Sequence, residues 1–326
     1  MGKPNLLLTF DAFGTLFRPK APPVEQYAQV ARQLGLSGFR DDELQASLAE
    51  AFKAEAKQHP NYGRATGLGA TRWWTNVIHA TFAPFIKHGE SLPPDLAPRL
   101  IHRFSSREAY SMEPRLVSSL QTVKRRRSPP STPPLPSDVL VGVLTNSDDR
   151  VPSILASFGM RVSPLRYGPG DPQAPAATAA PAMRAPGAPH DIDFHCMSYD
   201  VGFEKPDGRM FRAAEDMLAQ MLAAREGEKQ GRGQGQGQGA DEAARVDSGA
   251  CSWRKVHVGD EFAKDVVGAL DAGWNAVLLD EEGRDDGRLP WLEDLGDAGT
   301  VEDLFREYGA VRVRSLTSLM SWLSKD

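Results

Sequence analysis

The chain has 326 residues, of which 40% are hydrophobic and 25% charged, a formal net charge of −5, and two cysteines. It is long enough for one large or two moderate domains with a sizeable core, and its composition is that of a soluble globular protein. The acidic balance argues against a nucleic-acid partner, no apolar run is long enough to make the membrane one, and Cys196 and Cys251 lack metal-ligand spacing and form no disulfide framework.

In chain order, "PNLLLTFD" is too short for a signal peptide and reads as a first strand, Leu6–Phe10. From Pro22 to Val117 the apolar residues fall at helical spacing, as in "VEQYAQVARQLGL" and "TRWWTNVIHATFAPFI", with no convincing strand. The pattern predicts an all-helical unit over 21–117, inserted as a cap over the strand ends. Trp73 and Trp74 read as packing its core in preference to lining a substrate slot.

Three stretches differ from the rest: a basic, then proline-rich run near 124–138, a proline–alanine run near 169–191, and a glycine–glutamine repeat near 227–250. None buries enough apolar surface to offset its ordering entropy, so all three read as flexible surface insertions. The tetrad Lys124–Arg127 has the composition of a nuclear import signal, but a solvated basic turn is the preferred reading. The expected location is the cytoplasm, with the nucleus as the alternative.

Further strand-like runs follow at Val139–Thr145, His195–Ser198, Lys255–Val258 and Ala276–Leu279, alternating with helical patterns such as Arg209–Ala224 and Ala263–Ala272. "RVRSLTSLMSWL" adds a final strand and a closing helix. Short apolar strands alternating with helices predict an α/β core with a parallel sheet, formed by 1–20 and 118–326. Ligands bind such sheets at the carboxyl ends of the strands.

That edge is where the polar residues fall. Asp11 ends "LLLTFD", Thr145 and Asn146 end "VLVGVLTN", Lys205 sits in "GFEKPD", and Asp260 ends "VHVGD" with Asp265 five residues on. Singly, each has an ordinary explanation as a cap or a surface charge. Together they supply the parts of a phosphoryl-transfer site. One carboxylate attacks phosphorus, and a magnesium ion shared with other carboxylates cancels charge. A hydroxyl and an ammonium hold the equatorial oxygens. Gly14 permits a tight turn after the nucleophile, and neighbouring N–H groups are available to phosphate. His257, His195 and Cys196 read as packed or hydrogen-bonded strand residues.

The four segments "FDAFGTL", "VGVLTNSD", "GFEKPDGRMF" and "HVGDEFAKDVVGALDAGW" resemble, in order, the four motifs of the haloacid dehalogenase-like (HAD) hydrolase superfamily. "PNYG" and "GLGATRWW" further resemble its subgroup called haloacid dehalogenase-like hydrolase domain-containing protein 3. The resemblance implies a Rossmann-like core with a helical cap inserted after the first motif. It implies Asp11 as nucleophile and magnesium ligand, and the Phe13 carbonyl as a further ligand. It also implies Gly14, Thr15 and Asn146 at the phosphate, Thr145 as the phosphate-binding hydroxyl, and Lys205 as the lysine steadying nucleophile and phosphate. Asp260 and Asp265 complete the Mg2+ site.

Phe13 departs from the phosphatases of that superfamily, which place an acid/base aspartate there. Such help is worth about a hundred- to ten-thousand-fold in rate, so the expectation is a slow phosphatase acting on a small phosphorylated molecule. Two alternatives stay open. A 2-haloacid dehalogenase needs no leaving-group acid, and a pseudoenzyme would bind a phosphorylated ligand or a protein partner without turnover. The substrate, any protein partner and the oligomeric state are not legible in the sequence.

Overall fold

The computed structural model describes residues 5–87, 90–127, 139–168, 190–232, 253–284, 287–296 and 299–325. Most of the three low-complexity stretches (128–138, 169–189 and 233–252) lies outside the described residues. Where their margins are described, part of the backbone is helical in place of the expected loops. Lys124–Arg127 is the end of the helix Leu116–Arg127, not a turn. Lys124 Nζ donates to Asp193 at 2.6 Å and to the His190 carbonyl at 2.7 Å. Asp191 is fully buried and accepts from Arg161, and 227–232 continue the helix Gly208–Arg232. Composition hides this because a single acid partner is enough to draw a basic residue onto the core.

Eight strands occur among the described residues: β1 (Asn5–Phe10), β2 (Phe17–Pro19), β3 (Tyr110–Met112), β4 (Val139–Thr145), β5 (Phe194–Met197), β6 (Trp253–Gly259), β7 (Asn275–Leu279) and β8 (Ala310–Val313). Six of them form one sheet in the order β5-β4-β1-β6-β7-β8, and every neighbouring pair is parallel. All seven residues of β4 are buried, which is why it reads as a continuous apolar run. Successive side chains point to opposite faces. Leu7, Leu140, Leu144 and Phe194 pack on one face with Met210, Phe211 and Met217 of the helix Gly208–Arg232. Their strand neighbours Leu6, Leu8, Val141 and Val143 are equally buried. Each such side chain contributes about 1.5–3 kcal/mol on burial, and this two-sided core fixes the strand ends that carry the site.

The described residues divide into two compact units. One comprises Met1–Leu16, Glu113–Asn146 and Met160–Asp326, and the other Phe17–Met112 with Ser147–Gly159.

The second unit is built on the helices Pro23–Gln33, Asp41–Gln58, Ala70–Phe82 and Leu96–Arg103. Trp73 is buried in a cluster with Ala51 and Val77. Trp74 lies at its edge and donates from Nε1 to Asp148 Oδ2 at 2.6 Å. Arg150 Nε donates to Asp148 Oδ1 at 2.9 Å, and its guanidinium stacks 4.4 Å from the Trp74 ring. These contacts gather Ser147–Gly159 into the helical unit, whereas the sequence pattern assigns it to the α/β core. Apolar periodicity carries no trace of an ion pair under an indole. The antiparallel pair β2–β3 was not anticipated either, because three residues ending in Pro19 are too few to show alternation. Among the described residues no helix is long and apolar enough to cross a membrane.

Candidate active site

β1 is central, with β4 on one side and β6 on the other. The chain runs from β1 to β4 and β5 in one direction, then returns to β6, β7 and β8 in the other, so the strand order reverses at β1. Ligand sites of open α/β sheets form at that reversal, beyond the carboxyl ends. Asp11 directly follows β1, its N–H donating to the Val258 carbonyl at 2.8 Å. Thr145 is the last residue of β4, Asp260 directly follows β6, and Lys205 follows β5 after the one-turn helix Ser198–Val201.

Lys205 gathers the site. Its Nζ donates to Asp11 Oδ1 at 2.8 Å and to Asp265 Oδ1 at 2.6 Å, and the residue is 3% exposed. Its main chain is clamped by Asn146, which accepts from the Lys205 N–H at 2.7 Å and donates to the Lys205 carbonyl at 3.0 Å. The Asn146 amide is therefore engaged with the lysine backbone, a positioning contact distinct from the phosphate contact that the sequence resemblance implies. Asp11 Oδ2 accepts no hydrogen bond from the described residues. Thr145 is buried and stands beside this cluster without a hydrogen bond into it.

Asp265 is held from three directions. Besides Lys205, its Oδ1 lies 3.2 Å from His257 Nε2, and its Oδ2 accepts from the Glu261 N–H at 2.9 Å. The Asp265 N–H donates back to the Glu261 carbonyl at 2.8 Å, within a wide π-type turn over Phe262–Val267. Such turns concentrate at functional sites, and this one replaces the first turn of the expected helix Ala263–Ala272. Gly259 is required here, since a Cβ would fall 2.1 Å from Asp265 Cγ.

Asp260 is separate from this lysine cluster. Its Oδ1 accepts from Thr15 Oγ1 at 3.0 Å, which ties the loop after β1 to the loop after β6. Gly14 sits against the same carboxylate with φ +88°.

Two residues of the network were read only as strand residues. Thr9 and His257 are opposite one another in the parallel β1–β6 register, both fully buried, with Thr9 Oγ1 2.9 Å from His257 Nδ1. His257 Nε2 is 3.3 Å from Lys205 Nζ. The available signal was positional. Thr9 is two residues before Asp11 and His257 three before Asp260, on neighbouring strands that both end in an acid.

Burial raises the Asp11 carboxyl above its usual range, and the neighbouring Asp265 adds to this against the pull of Lys205. Burial works against the Lys205 charge, but Asp11 and Asp265 outweigh it and hold the ammonium protonated. Burial also disfavours the Asp265 charge, but His257 and Lys205 prevail and keep it ionised. Burial and then the Lys205 charge keep His257 neutral. Burial raises the Asp260 carboxyl as well. Lys205 faces Asp11 and Asp265, and with Asp260 on the adjoining loop the fully ionised set would carry two surplus negative charges. That is the charge of one divalent cation, and carboxylate and carbonyl oxygens are donors that suit magnesium. Among the described residues no three His, Cys, Asp or Glu side chains converge as a metal-ligand cluster. Asp265, already bound by three protein groups, stands behind such a site, leaving Asp11 and Asp260 as its side-chain donors.

This parallel α/β sheet, with an aspartate–lysine–aspartate cluster at its carboxyl edge, fits the Rossmann-like fold and the site that the resemblance of the four motifs implies, and the chain is similar in sequence to proteins named as haloacid dehalogenase-like hydrolases. The chain is 27% identical over 274 residues to an uncharacterized hydrolase of Schizosaccharomyces pombe, covering 84% of this chain and 90% of that protein. It is 25% identical to haloacid dehalogenase-like hydrolase domain-containing protein 3 of Bos taurus, covering 84% and 81%. It is 24% identical to the rhythmically expressed gene 2 protein of Drosophila melanogaster, covering 85% and 83%. No family model matches. Among solved structures, a 2-haloacid dehalogenase from Pseudomonas syringae pv. Tomato aligns over 98% of this chain and 99% of its own, at 18% identity and a TM-score of 0.48. A HAD phosphatase from Thermococcus onnurineus aligns over 98% and 97%, at 16% identity and a TM-score of 0.43.

Proposed function

We propose that this chain is a magnesium-dependent phosphatase, acting on a small phosphoester through a phosphorylated Asp11 and slowed by Phe13. The observation that supports it is Lys205, held 2.8 Å from Asp11 and 2.6 Å from Asp265 within a cluster that retains surplus negative charge. An Asp11 oxygen attacks phosphorus and the bond from phosphorus to the alcohol oxygen breaks, its electron pair leaving with that oxygen. The alkoxide takes a proton from water, since Phe13 has none to give. Water then attacks the acyl phosphate, releasing inorganic phosphate and returning Asp11 as the carboxylate. Lys205 and the Thr145 hydroxyl donate to the phosphoryl oxygens. Asp11, Asp260 and the Phe13 carbonyl would hold magnesium, with Asp265 supporting the site and Thr15 fixing Asp260 at 3.0 Å. Bound there, the ion supplies positive charge against the phosphate and the carboxylates.

Phe13 favours a competing reading, a 2-haloacid dehalogenase, because halide leaves without a proton. The acidic cluster weighs against it, since Asp260 and Asp265 would repel a haloacid carboxylate in the absence of a cation. A panel of phosphoesters and 2-haloacids, assayed with and without magnesium, separates the two. Phosphate release that requires magnesium and disappears in Asp11→Asn supports the phosphatase. Halide release without magnesium overturns it. No turnover, with magnesium-dependent binding of beryllofluoride, identifies a binding protein instead.

A further inference from the structure

The buried Thr9–His257 pair has no part in the reaction just described, yet it abuts the lysine on which that reaction depends. His257 Nε2, Asp265 Oδ1 and Lys205 Nζ form a small triangle with sides of 3.2, 2.6 and 3.3 Å. Two proton arrangements are conceivable. With the proton on Nδ1, the bare Nε2 lone pair would face the Asp265 carboxylate at 3.2 Å, two acceptors in contact. Lys205 would then have to spend two of its three hydrogens on this pair and the third on Asp11, leaving none for a ligand. With the proton on Nε2, the imidazole donates to an ionised carboxylate, the stronger acceptor. Nδ1 then accepts from the Thr9 hydroxyl, 2.9 Å away.

We propose that Thr9 fixes His257 as the Nε2–H tautomer, and that His257 acts as a positioning residue, holding Asp265 so that Lys205 stays aimed at Asp11 with its third N–H uncommitted. Among the described residues that third hydrogen has no acceptor, because Asp11 and Asp265 take the other two and His257 presents a donor. A charged donor kept uncommitted in a buried site is ready for an incoming anionic oxygen. The Phe211 ring meets the imidazole edge-on at 5.5 Å and 90°, closing the remaining side with an apolar wall. The link to phosphate rests on the phosphatase reading, whereas the tautomer and the hold on Asp265 do not.

The test uses the full chain, labelled with 15N at histidine, and three variants checked for folding by thermal melting: His257→Gln, His257→Met and Thr9→Val. Gln places an N–H donor near the Nε2 position, and Met fills similar volume without one. In the wild type the 15N shifts should report a protonated Nε2 and a bare, hydrogen-bonded Nδ1, and Thr9→Val should mix the tautomers. Magnesium-dependent beryllofluoride affinity should fall about 10–100-fold in His257→Met, the range for removing an outer-shell support, and recover most of that loss in His257→Gln. A wild-type Nδ1–H tautomer overturns the proposal, as does a Gln variant no better than Met. If the wild type binds no beryllofluoride, the phosphatase reading fails and the 15N shifts alone decide the proposal.

Discussion

Gly14 lies so close to Asp260 that a Cβ at position 14 would fall 2.2 Å from the Asp260 Oδ2 atom. The loop after β1 and the loop after β6 are therefore fitted to each other with no room for a methyl group. The positive φ of +88° adds a second cost for any residue with a side chain. Gly14→Ala must displace Asp260 or re-fold the turn, and a misplacement of about 1 Å is enough to cost about a hundredfold in rate. We expect phosphate release to fall by about that factor, together with a stability loss of about 1–2 kcal/mol from the left-handed backbone. An alanine variant with full activity and unchanged melting would mean that the two loops are not in register as described.

Phe13→Asp tests whether a missing acid limits the rate. The side chain would add a proton donor for the leaving alcohol and a base for water, which is worth about a hundred- to ten-thousand-fold. Phosphomonoesters with poor leaving groups should gain most, because activated aryl phosphates need little protonation. Steady-state kcat across a series of leaving groups checks this. A uniform gain, or none in a folded protein, points to a different limiting step.

Lys205→Met would leave the carboxylates of Asp11 and Asp265 facing each other in a buried site with no counter-charge. Breaking a buried ion pair on one side costs about 3–5 kcal/mol, and the damage should be largely relieved in Lys205→Met/Asp11→Asn, which removes one of the stranded charges. Urea denaturation of the two variants measures the difference. Equal stabilities would show that the lysine does not hold the acids together.

The strand ends were legible because a parallel strand buried on both faces leaves a distinctive trace, an unbroken apolar run stopped by a polar residue. Asp11, Thr145 and Asp260 were found in that way. What the sequence hides are relationships that depend on register and on main-chain contacts. Thr9 and His257 are 248 residues apart in sequence and become neighbours only through the β1–β6 pairing. The Asn146 grip on the Lys205 peptide uses backbone atoms, which residue types do not reveal. The resemblance implies Asp265 as the acid supporting the metal site, and its contact with the lysine, set by the wide turn at Phe262–Val267 and by Gly259, is not visible in its spacing from Asp260. Trp74, Asp148 and Arg150 carry the same lesson in the helical unit, where a polar clasp overrides a pattern of apolar spacing.

His195, on β5, is expected to make the protein acid-sensitive through a group remote from the proposed chemistry. The residue is 4% exposed, with Nε2 3.2 Å from the Ser163 carbonyl and Nδ1 buried without a hydrogen-bond partner among the described residues. Burial, and then the nearby Arg166 guanidinium, push its pKa down to about 4 from 6.5. The folded protein therefore keeps the imidazole neutral where the unfolded chain takes up a proton. Stability from this group is complete above about pH 6.5 and is lost as the pH falls toward about 4, by roughly 3 kcal/mol at full extent. His195→Phe removes the titrating group and the hydrogen bond to Ser163, so at pH 8 it should be less stable by about 1 kcal/mol. Between pH 6.5 and 5 the wild type should lose stability faster than the variant, and the two urea midpoints should converge or cross. Parallel pH profiles for the two proteins would show that His195 is protonated in the folded state at the same pH as in the unfolded one.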